Sequence, residues 1–319
     1  MSKRLQIYIL SCDRLDYCCE AVQSALMQSL KGIEVIVSDN SSGPAVVDAL
    51  EKRFPDLTIV RRRPQLPALE HFNQIIAESE AEFLVLFHDD DVLDPDYAKS
   101  LIAHLEADSE LVAVGTNANI LAGEMPTKRL FMGQTVADRR LSSVHQLIKP
   151  YTSLDLDSPA PFPGYMYRTQ SVKGLALDPT TGGKHADVSF LMSVLGRGPI
   201  LWLAQPRFLY RFHGNNDSRA ENIASRMRWL RFVKSRYPGA LAQENLQDFR
   251  FQLWSRWLVQ HSTKFELLSP QSIGWRRDVA RRFILTYGTK LAATRPAFWR
   301  RVLRSLRARY QAKAGNKPD

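Results

Sequence analysis

The sequence lacks the signatures that most readily mark a nucleotide enzyme. No Gly-x-Gly-x-x-Gly follows the first apolar run, where the turn reads Ser11-Cys12-Asp13-Arg14, and no Walker loop occurs. Dinucleotide-dependent hydride transfer and P-loop ATP hydrolysis are therefore set aside. Cysteine is scarce. Cys12, Cys18 and Cys19 are odd in number and two are adjacent, so they offer neither a disulfide framework nor a zinc spacing. That usage fits a reducing compartment, and a cytoplasmic chain is expected. No window of about 18 uncharged apolar residues exists, so no transmembrane helix is expected. The short run after Lys3-Arg4, interrupted by Gln6, is too brief for a signal peptide or an anchor. Internal repeats and low-complexity tracts are also missing.

What is present is ordinary in bulk and uneven in charge. The 319 residues are 45% hydrophobic and 24% charged, enough for a sizeable core in about two domains. The net charge is +10, yet Gln271 to Asp319 alone carries thirteen Lys or Arg against two acids, a balance of +11. The remainder is close to neutral. Such a tail calls for an acidic partner, either a phospholipid surface or nucleic acid.

The chain is organised around Phe83-Leu84-Val85-Leu86-Phe87-His88-Asp89-Asp90-Asp91. An unbroken apolar run reads as a central parallel strand, and it leads straight into three carboxylates. Adjacent aspartates repel, and a divalent cation with oxygen ligands is the natural relief. Ligands of open α/β sheets bind beyond the carboxyl ends of strands, where this cluster falls. Asp94-Pro95-Asp96 has a structural explanation instead, with Asp94 capping the next helix and Pro95 at its first position.

Upstream, strands at 5–10, 33–37, 57–60 and 82–87 alternate with helices at 14–28, 44–54 and 67–79. A helix at 97–107 and a strand at 111–115 follow. This alternation predicts βαβ units in an α/β fold. Asp39 ends the second strand, where an acid either accepts from a nucleoside or closes an Asx turn with Asn40-Ser41-Ser42-Gly43. Residues 118–158 read as an irregular excursion with one helix near Val144. Strands are expected at 165–168 and 200–203. Asp187 opens a helix after Gly182-Gly183, as a first-turn acid facing the dipole or as a general base delivered by a loop. Arg211 and His213 alternate after the last strand, and both side chains can meet phosphate or metal.

Beyond Ser218 the pattern is helical. Leu246, Phe249, Leu253, Trp254, Trp257 and Leu258 form an apolar stripe that reads as core. Pro296 opens a last helix in which Arg300, Arg301, Arg304, Arg307 and Arg309 surround Trp299, Val302, Leu303, Leu306 and Tyr310. Lying on an anionic bilayer and packing on the body with a solvated basic face both fit that helix. The tail has no base-reading motif, so nucleic acid is the poorer match.

Four pieces in one order resemble a family 2 glycosyltransferase of the GT-A fold. They are Ser38-Asp39-Asn40-Ser41-Ser42, Phe72-Asn73-Gln74, His88-Asp89-Asp90-Asp91 with Pro95, and Asp187 followed by Tyr210-Arg211-x-His213-x-x-Asn216-x-Ser218. The resemblance covers roughly residues 5–218. It implies a catalytic domain over 1–218, a Rossmann-like mixed sheet flanked by helices, with a basic helical region over 219–319. It also implies a nucleotide-sugar donor and a divalent metal, Mn²⁺ or Mg²⁺. Asp39 would hold the nucleobase beside Ser11 and Arg14, and Asn73 would belong to the donor site. Asp91 would bind the metal directly, while Asp89 and Asp90 would contact ribose or metal-bound water. Arg211 would meet the diphosphate, and His213 the diphosphate or the metal. Asp187 would be the catalytic base of an inverting displacement onto a glycan or lipid-linked hydroxyl, in surface-polysaccharide assembly at the inner face of the plasma membrane, with residues 270–319 on the anionic surface.

Three departures stand out. His88 replaces the usual first Asp of the acidic motif, Ala186 replaces an acid before the base, and 61–70 lacks a glycine common before the Asn73 position. Two other readings compete: a metal-dependent nucleotidyltransferase on a similar sheet, and a non-enzymatic nucleic-acid binder acting through the tail. A glycosidase would need two carboxylates flanking the bond and no metal.

Overall fold

Strands covered on both faces are written as continuous apolar runs, and the first and fourth strands follow that rule. β1 (Leu5–Ser11) is buried at every position, and β4 (Phe83–His88) at all but His88. β2 (Ile33–Asp39) and β3 (Thr58–Arg61) extend the sheet outward from β1. Their connections are α1 (Leu15–Leu26), α2 (Ala45–Arg53) and α3 (Ala68–Glu78). α1 turns Cys18, Cys19, Val22 and Ala25 inward at helical spacing. The computed structural model describes residues 4–122, 124–133, 137–153, 158–213 and 223–242, together with 245, 246, 248 and 249.

After β4 come β5 (Val92–Leu93), α4 (Tyr97–Ala107), β6 (Ala113–Ala122), β7 (Met125–Leu130), β8 (Arg139–Leu141) and α5 (Val144–Thr152). β9 (Tyr165–Arg168), α6 (Thr169–Val172), α7 (Ala186–Leu195), β10 (Ile200–Phe212) and α8 (Ile223–Arg236) complete the described elements. The sheet order is β3-β2-β1-β4-β9-β6-β10-β5, with β7 on β6 and β8 on β10. β1 is parallel to β2 and β4, and β6 is parallel to β10. β9 lies between β4 and β6 and runs against both, so the sheet is mixed and β4, β6 and β10 share one direction.

Three expectations need correction. Residues 118–158 are not an irregular excursion, since they hold most of β6 along with β7, β8 and α5. β7 escaped notice because it is an edge strand with no buried position, so no alternation betrays it. β10 does not stop at Leu203. It continues to Phe212 through register shifts on either side of Pro206, a residue that cannot donate to a ladder. The carbonyls displaced there are recovered by β6, as Thr116 Oγ1 donates to Gln205 O at 2.6 Å and Asn117 Nδ2 to Ala204 O at 3.0 Å. These buried polar residues obscured β6 in the sequence. Finally, α4 begins at Tyr97 with Asp96 as the preceding cap residue, while Asp94 Oδ1 accepts from the Asp96 amide at 3.0 Å in an Asx turn.

The chain divides into two compact units, 1–148 with 157–240, and 149–156 with 241–319. α8 belongs to the first, so that unit extends past residue 218. Its Trp229 is buried, with its ring 6.2 Å from that of His185. In the second unit Asn245, Asp248 and Phe249 are buried. The rest of the expected apolar stripe and the basic helix at 296–310 lie outside the described residues. No helix among the described residues is long and apolar enough to cross a membrane.

Candidate active site

Register brings the carboxyl ends of three parallel strands to one level. Ser11 pairs with Asp39, and Leu10 with His88. β10 ends on the same side. It pairs antiparallel with β5, Leu209 against Val92, so the turn 89–91 lies along Tyr210 to His213. A short hairpin-like contact thus delivers the end of a distant strand to the three aspartates.

The loops after β1 and β2 are tied together. Asp13, at φ 54°, accepts from the amide and hydroxyl of Ser42, and its own amide donates to Ser41 Oγ at 2.8 Å. A non-glycine residue there is tolerated because Asp adopts the left-handed region at lower cost than most. Asn40 donates its amide to Ser11 O, and its side chain pins Leu66 in both directions. Asp39 is fully buried. Its Oδ1 accepts from the Ser41 amide at 3.2 Å, so the Asx turn exists, while Oδ2 has no hydrogen-bond partner and sees Arg61 Nε only at 3.9 Å. Both readings of Asp39 are thus open to one carboxylate: one oxygen closes the turn and the other is left for a donor.

The three aspartates differ sharply. Asp89 is sealed, accepting from the Cys12 amide at 3.0 Å and facing Arg14 at 2.9 Å. Burial nevertheless pushes its carboxyl up to about 7, against the pull of Arg14 and that amide. Asp90 Oδ2 is 2.8 Å from Arg14 Nη1 and 2.8 Å from His213 Nε2. Burial would raise Asp90 as well, but His88, Arg14 and His213 outweigh it and hold it below the usual carboxylate range. Asp91 Oδ1 accepts from the Arg211 amide at 2.9 Å. Its Oδ2 is buried without a hydrogen-bond partner, and burial followed by the Asp90 charge raises its pKa well above normal. A carboxylate whose pKa is raised by burial and by a neighbouring like charge is one that a cation would relieve.

His88, Asp90 and Asp91 each place a ligand atom within 4.8 Å of the others. Around one cation with bonds of about 2.0–2.3 Å, ligand atoms stand at most about 4.6 Å apart. Only one pair can stand that far apart, so the group would have to draw closer around a cation, for which the orphaned Asp91 oxygen is available.

Several expected contacts are reassigned. His213 bonds Asp90, and the candidate group adds His88, which the sequence marked only as a departure. Arg211 is held by its neighbours within the fold. It is 1% exposed, its Nε donates to Asp90 O at 2.9 Å, its Nη2 pairs with Glu20, and its guanidinium lies 4.5 Å from the Tyr17 ring centroid. Asn73 is tied to backbone, donating to Leu177 O at 3.0 Å and accepting from Leu177 N at 2.7 Å. Ser11 is fully buried. Arg14, with 38% of its side chain exposed, is the expected donor-site residue that still meets solvent substantially.

Asp187 opens α7, with His185 as the preceding cap residue. Its charge and those of the acidic turn act on one residue, Tyr210. Tyr210 is raised first by burial and then by the charges of Asp91, Asp90 and Asp187 together. Asp187 also raises the buried Tyr165 and Tyr167.

The sequence model described as Glycosyl transferase family 2 matches residues 6–154, a span holding Ser11, Asp39 and the acidic turn but neither Asp187 nor His213. No curated protein sequence matches. The crystal structure of S. aureus TarS 1-349 in complex with UDP-GlcNAc has a TM-score of 0.60 at 12% identity, over 88% of this chain and 80% of that one. The same TarS segment in complex with UDP gives 0.51 at 15% identity, over 79% and 82%. Those identities speak for the fold, and the family match speaks for the chemistry of the first half. Residues 6–154 match the glycosyl transferase family 2 model, and the chain has the GT-A fold that the TarS structures share.

Proposed function

We propose that the chain transfers a sugar from a nucleoside-diphospho-sugar to an acceptor hydroxyl, with inversion at the anomeric carbon. The observation that carries this reading is the convergence at the carboxyl ends of the strands of the His88-Asp90-Asp91 group, the Arg14 and His213 side chains on Asp90, and the half-satisfied carboxylate of Asp39. A divalent cation, manganese or magnesium, held at that group would supply positive charge for the departing diphosphate. Asp39 Oδ2 accepts a nucleobase N–H. Arg14 turns from Asp89 and Asp90 toward a phosphate, and His213 stays on Asp90 at the phosphate side. Asp187 takes the proton of the acceptor hydroxyl, a poor nucleophile until it is deprotonated. The acceptor is a glycan or lipid-linked hydroxyl, and residues 270–319 meet an anionic membrane surface on the cytoplasmic side.

The solved neighbours hold UDP and UDP-GlcNAc, which makes these the first ligands to try. Thermal stability with UDP, GDP, dTDP and CMP, each with and without Mn²⁺, tests the reading. A nucleotide at a hundred times its Kd adds about 2.7 kcal/mol. Metal-dependent stabilisation by one nucleotide supports the proposal, and none by any of the four rejects it. Asp91→Asn should abolish transfer and weaken metal-dependent nucleotide binding. Asp187→Asn should abolish transfer and leave that binding nearly intact. Equal loss of binding in both removes the role given to Asp187.

A further inference from the structure

We propose that Phe131, Tyr210 and Phe212 form an acceptor subsite that takes a neutral pyranose ring, stacked on Phe212. The inference rests on the nucleotide-sugar reading and adds to it the chemical class of the acceptor and the residues that receive it.

The first observation is how β10 divides its side chains. Along a strand, alternate residues turn to opposite faces. Arg211 and His213 go to the acidic turn, where Arg211 Nε donates to Asp90 O and His213 Nε2 lies 2.8 Å from Asp90 Oδ2. Phe208, Tyr210 and Phe212 take the other face and run as a chain of rings. Phe208 is 1% exposed and packs on Phe87 at 6.3 Å and on Tyr210 at 6.5 Å. Tyr210 meets Phe212 at 5.2 Å, and Phe212 is 41% exposed. One face of the strand end thus serves the carboxylates, while the other carries aromatic rings out of the core to solvent.

The second observation is a ring brought from elsewhere in the chain. Phe131, which follows β7, lies 4.8 Å from Tyr210 and nearly parallel to Phe212, at 9° and 6.4 Å. Its amide donates to Ala118 O on β6, which fixes the backbone beneath the ring. Phe131 and Tyr210 are themselves only partly buried. A single exposed apolar residue needs no explanation. Two parallel rings joined by a tyrosine, held by two different segments, make a surface shaped for a flat ligand before that ligand arrives.

The chemistry then decides the occupant. An aromatic face carries partial negative charge and attracts polarised C–H bonds. A pyranose with its axial hydrogens on one side offers a patch of such bonds, while its hydroxyls stay in water or meet Tyr210, whose phenol both donates and accepts. An acyl or prenyl chain has no use for that phenol and would be served as well by aliphatic side chains. The charges of Asp91, Asp90 and Asp187 all act on Tyr210, a setting that suits a neutral ring better than an anion. Asp187, the base of the proposed reaction, is one of the three, which ties the platform to the acceptor and not to the nucleotide.

The test uses the full chain with UDP and a divalent cation present, and it reads binding, with no transfer required. Methyl β-glucopyranoside, methyl β-galactopyranoside and methyl N-acetyl-β-glucosaminide are the probes, with ribitol and 1-butanol as open-chain and aliphatic comparators. Saturation-transfer NMR reports which ring protons approach the protein. At least one pyranoside should bind, with saturation strongest on the protons of one ring face. Phe212→Ala should weaken that binding by about three- to tenfold and erase the one-face pattern, whereas Phe212→Tyr should keep both. Phe131→Leu should weaken binding less than Phe212→Ala. UDP affinity, measured by calorimetry, should be unchanged in all of these variants. A pyranoside signal unaltered in Phe212→Ala overturns the proposal, as does saturation confined to ribitol or butanol, or no saturation of any probe. Loss of UDP affinity in Phe212→Ala would move that ring to the donor side and overturns it too. Wild type that binds no UDP is the separate failure of the nucleotide-sugar reading.

Discussion

Lowering the pH from 7.5 to 4.5 should cost the fold about 2.5 kcal/mol through one side chain, His71. The imidazole is buried on α3 with its Nε2 2.7 Å from Ser38 Oγ. Arg62 donates its Nε to the same hydroxyl at 2.8 Å, and its Nη atoms grip Glu78 at 2.8 and 2.6 Å. With Arg62 donating to the Ser38 oxygen, the hydroxyl proton is left to point at His71, which accepts it as the neutral imidazole. Burial, and then the Arg62 charge, lower the pKa from 6.5 to about 4. The unfolded chain therefore takes up a proton between pH 6.5 and 4 that the folded chain refuses. Stability is fully present above that window and is lost as the pH falls through it. At about 1.36 kcal/mol per unit, a shift from 6.5 to about 4 gives about 2.5 kcal/mol at pH 4.5 and about 3.4 kcal/mol at the acid limit. Urea unfolding of wild type and His71→Gln at the two pH values isolates this contribution, because the other groups cancel between the two proteins. His71→Gln should lose about 2.5 kcal/mol less than wild type. Equal losses would mean that His71 is protonated in the fold, and the hydrogen-bond assignment around Ser38 would be wrong.

Asn73→Ala removes two hydrogen bonds to the Leu177 backbone and should lower stability by about 2 kcal/mol, at about 1 kcal/mol each. UDP affinity, measured by calorimetry well below the melting range, should change less than threefold; a large loss of affinity with unchanged stability would return Asn73 to the donor site. Glu20→Gln weakens the hold on the buried Arg211 guanidinium, whose amide and Nε fix Asp91 and Asp90. Because Glu20 is half exposed, the stability cost should be modest, about 1 kcal/mol or less, while metal-dependent UDP binding weakens several-fold in a titration. Glu20→Asp should recover part of that binding.

The half of the fold built from β1 to β4 was legible because buried parallel strands leave unbroken apolar runs, and because Asp, Asn, Ser and Gly mark their ends. The acidic turn was legible because three adjacent carboxylates are costly without a counter-charge. What escaped were features fixed by tertiary pairing. β7 carries no buried face, and β10 passes through Pro206 only because Thr116 and Asn117 accommodate the bulge from the neighbouring strand. Arg211 reads as an anion contact in sequence, yet Tyr17 and Glu20 of α1 enclose it. No local pattern announces an arginine that holds a loop from beneath.

The reversed strand β9 has a consequence for how this architecture diversifies. A strand running with its neighbours brings the loop that leaves it to the site edge, but β9 brings the loop that enters it. The turn Pro161 to Gly164, with Phe162 beside His88, therefore belongs to a stretch read long after the loops that follow β1 and β2. That stretch lies outside the pairing that fixes the register of β1, β2 and β4. Gly164 sets its boundary, because a Cβ there would meet the Phe208 ring at 2.5 Å.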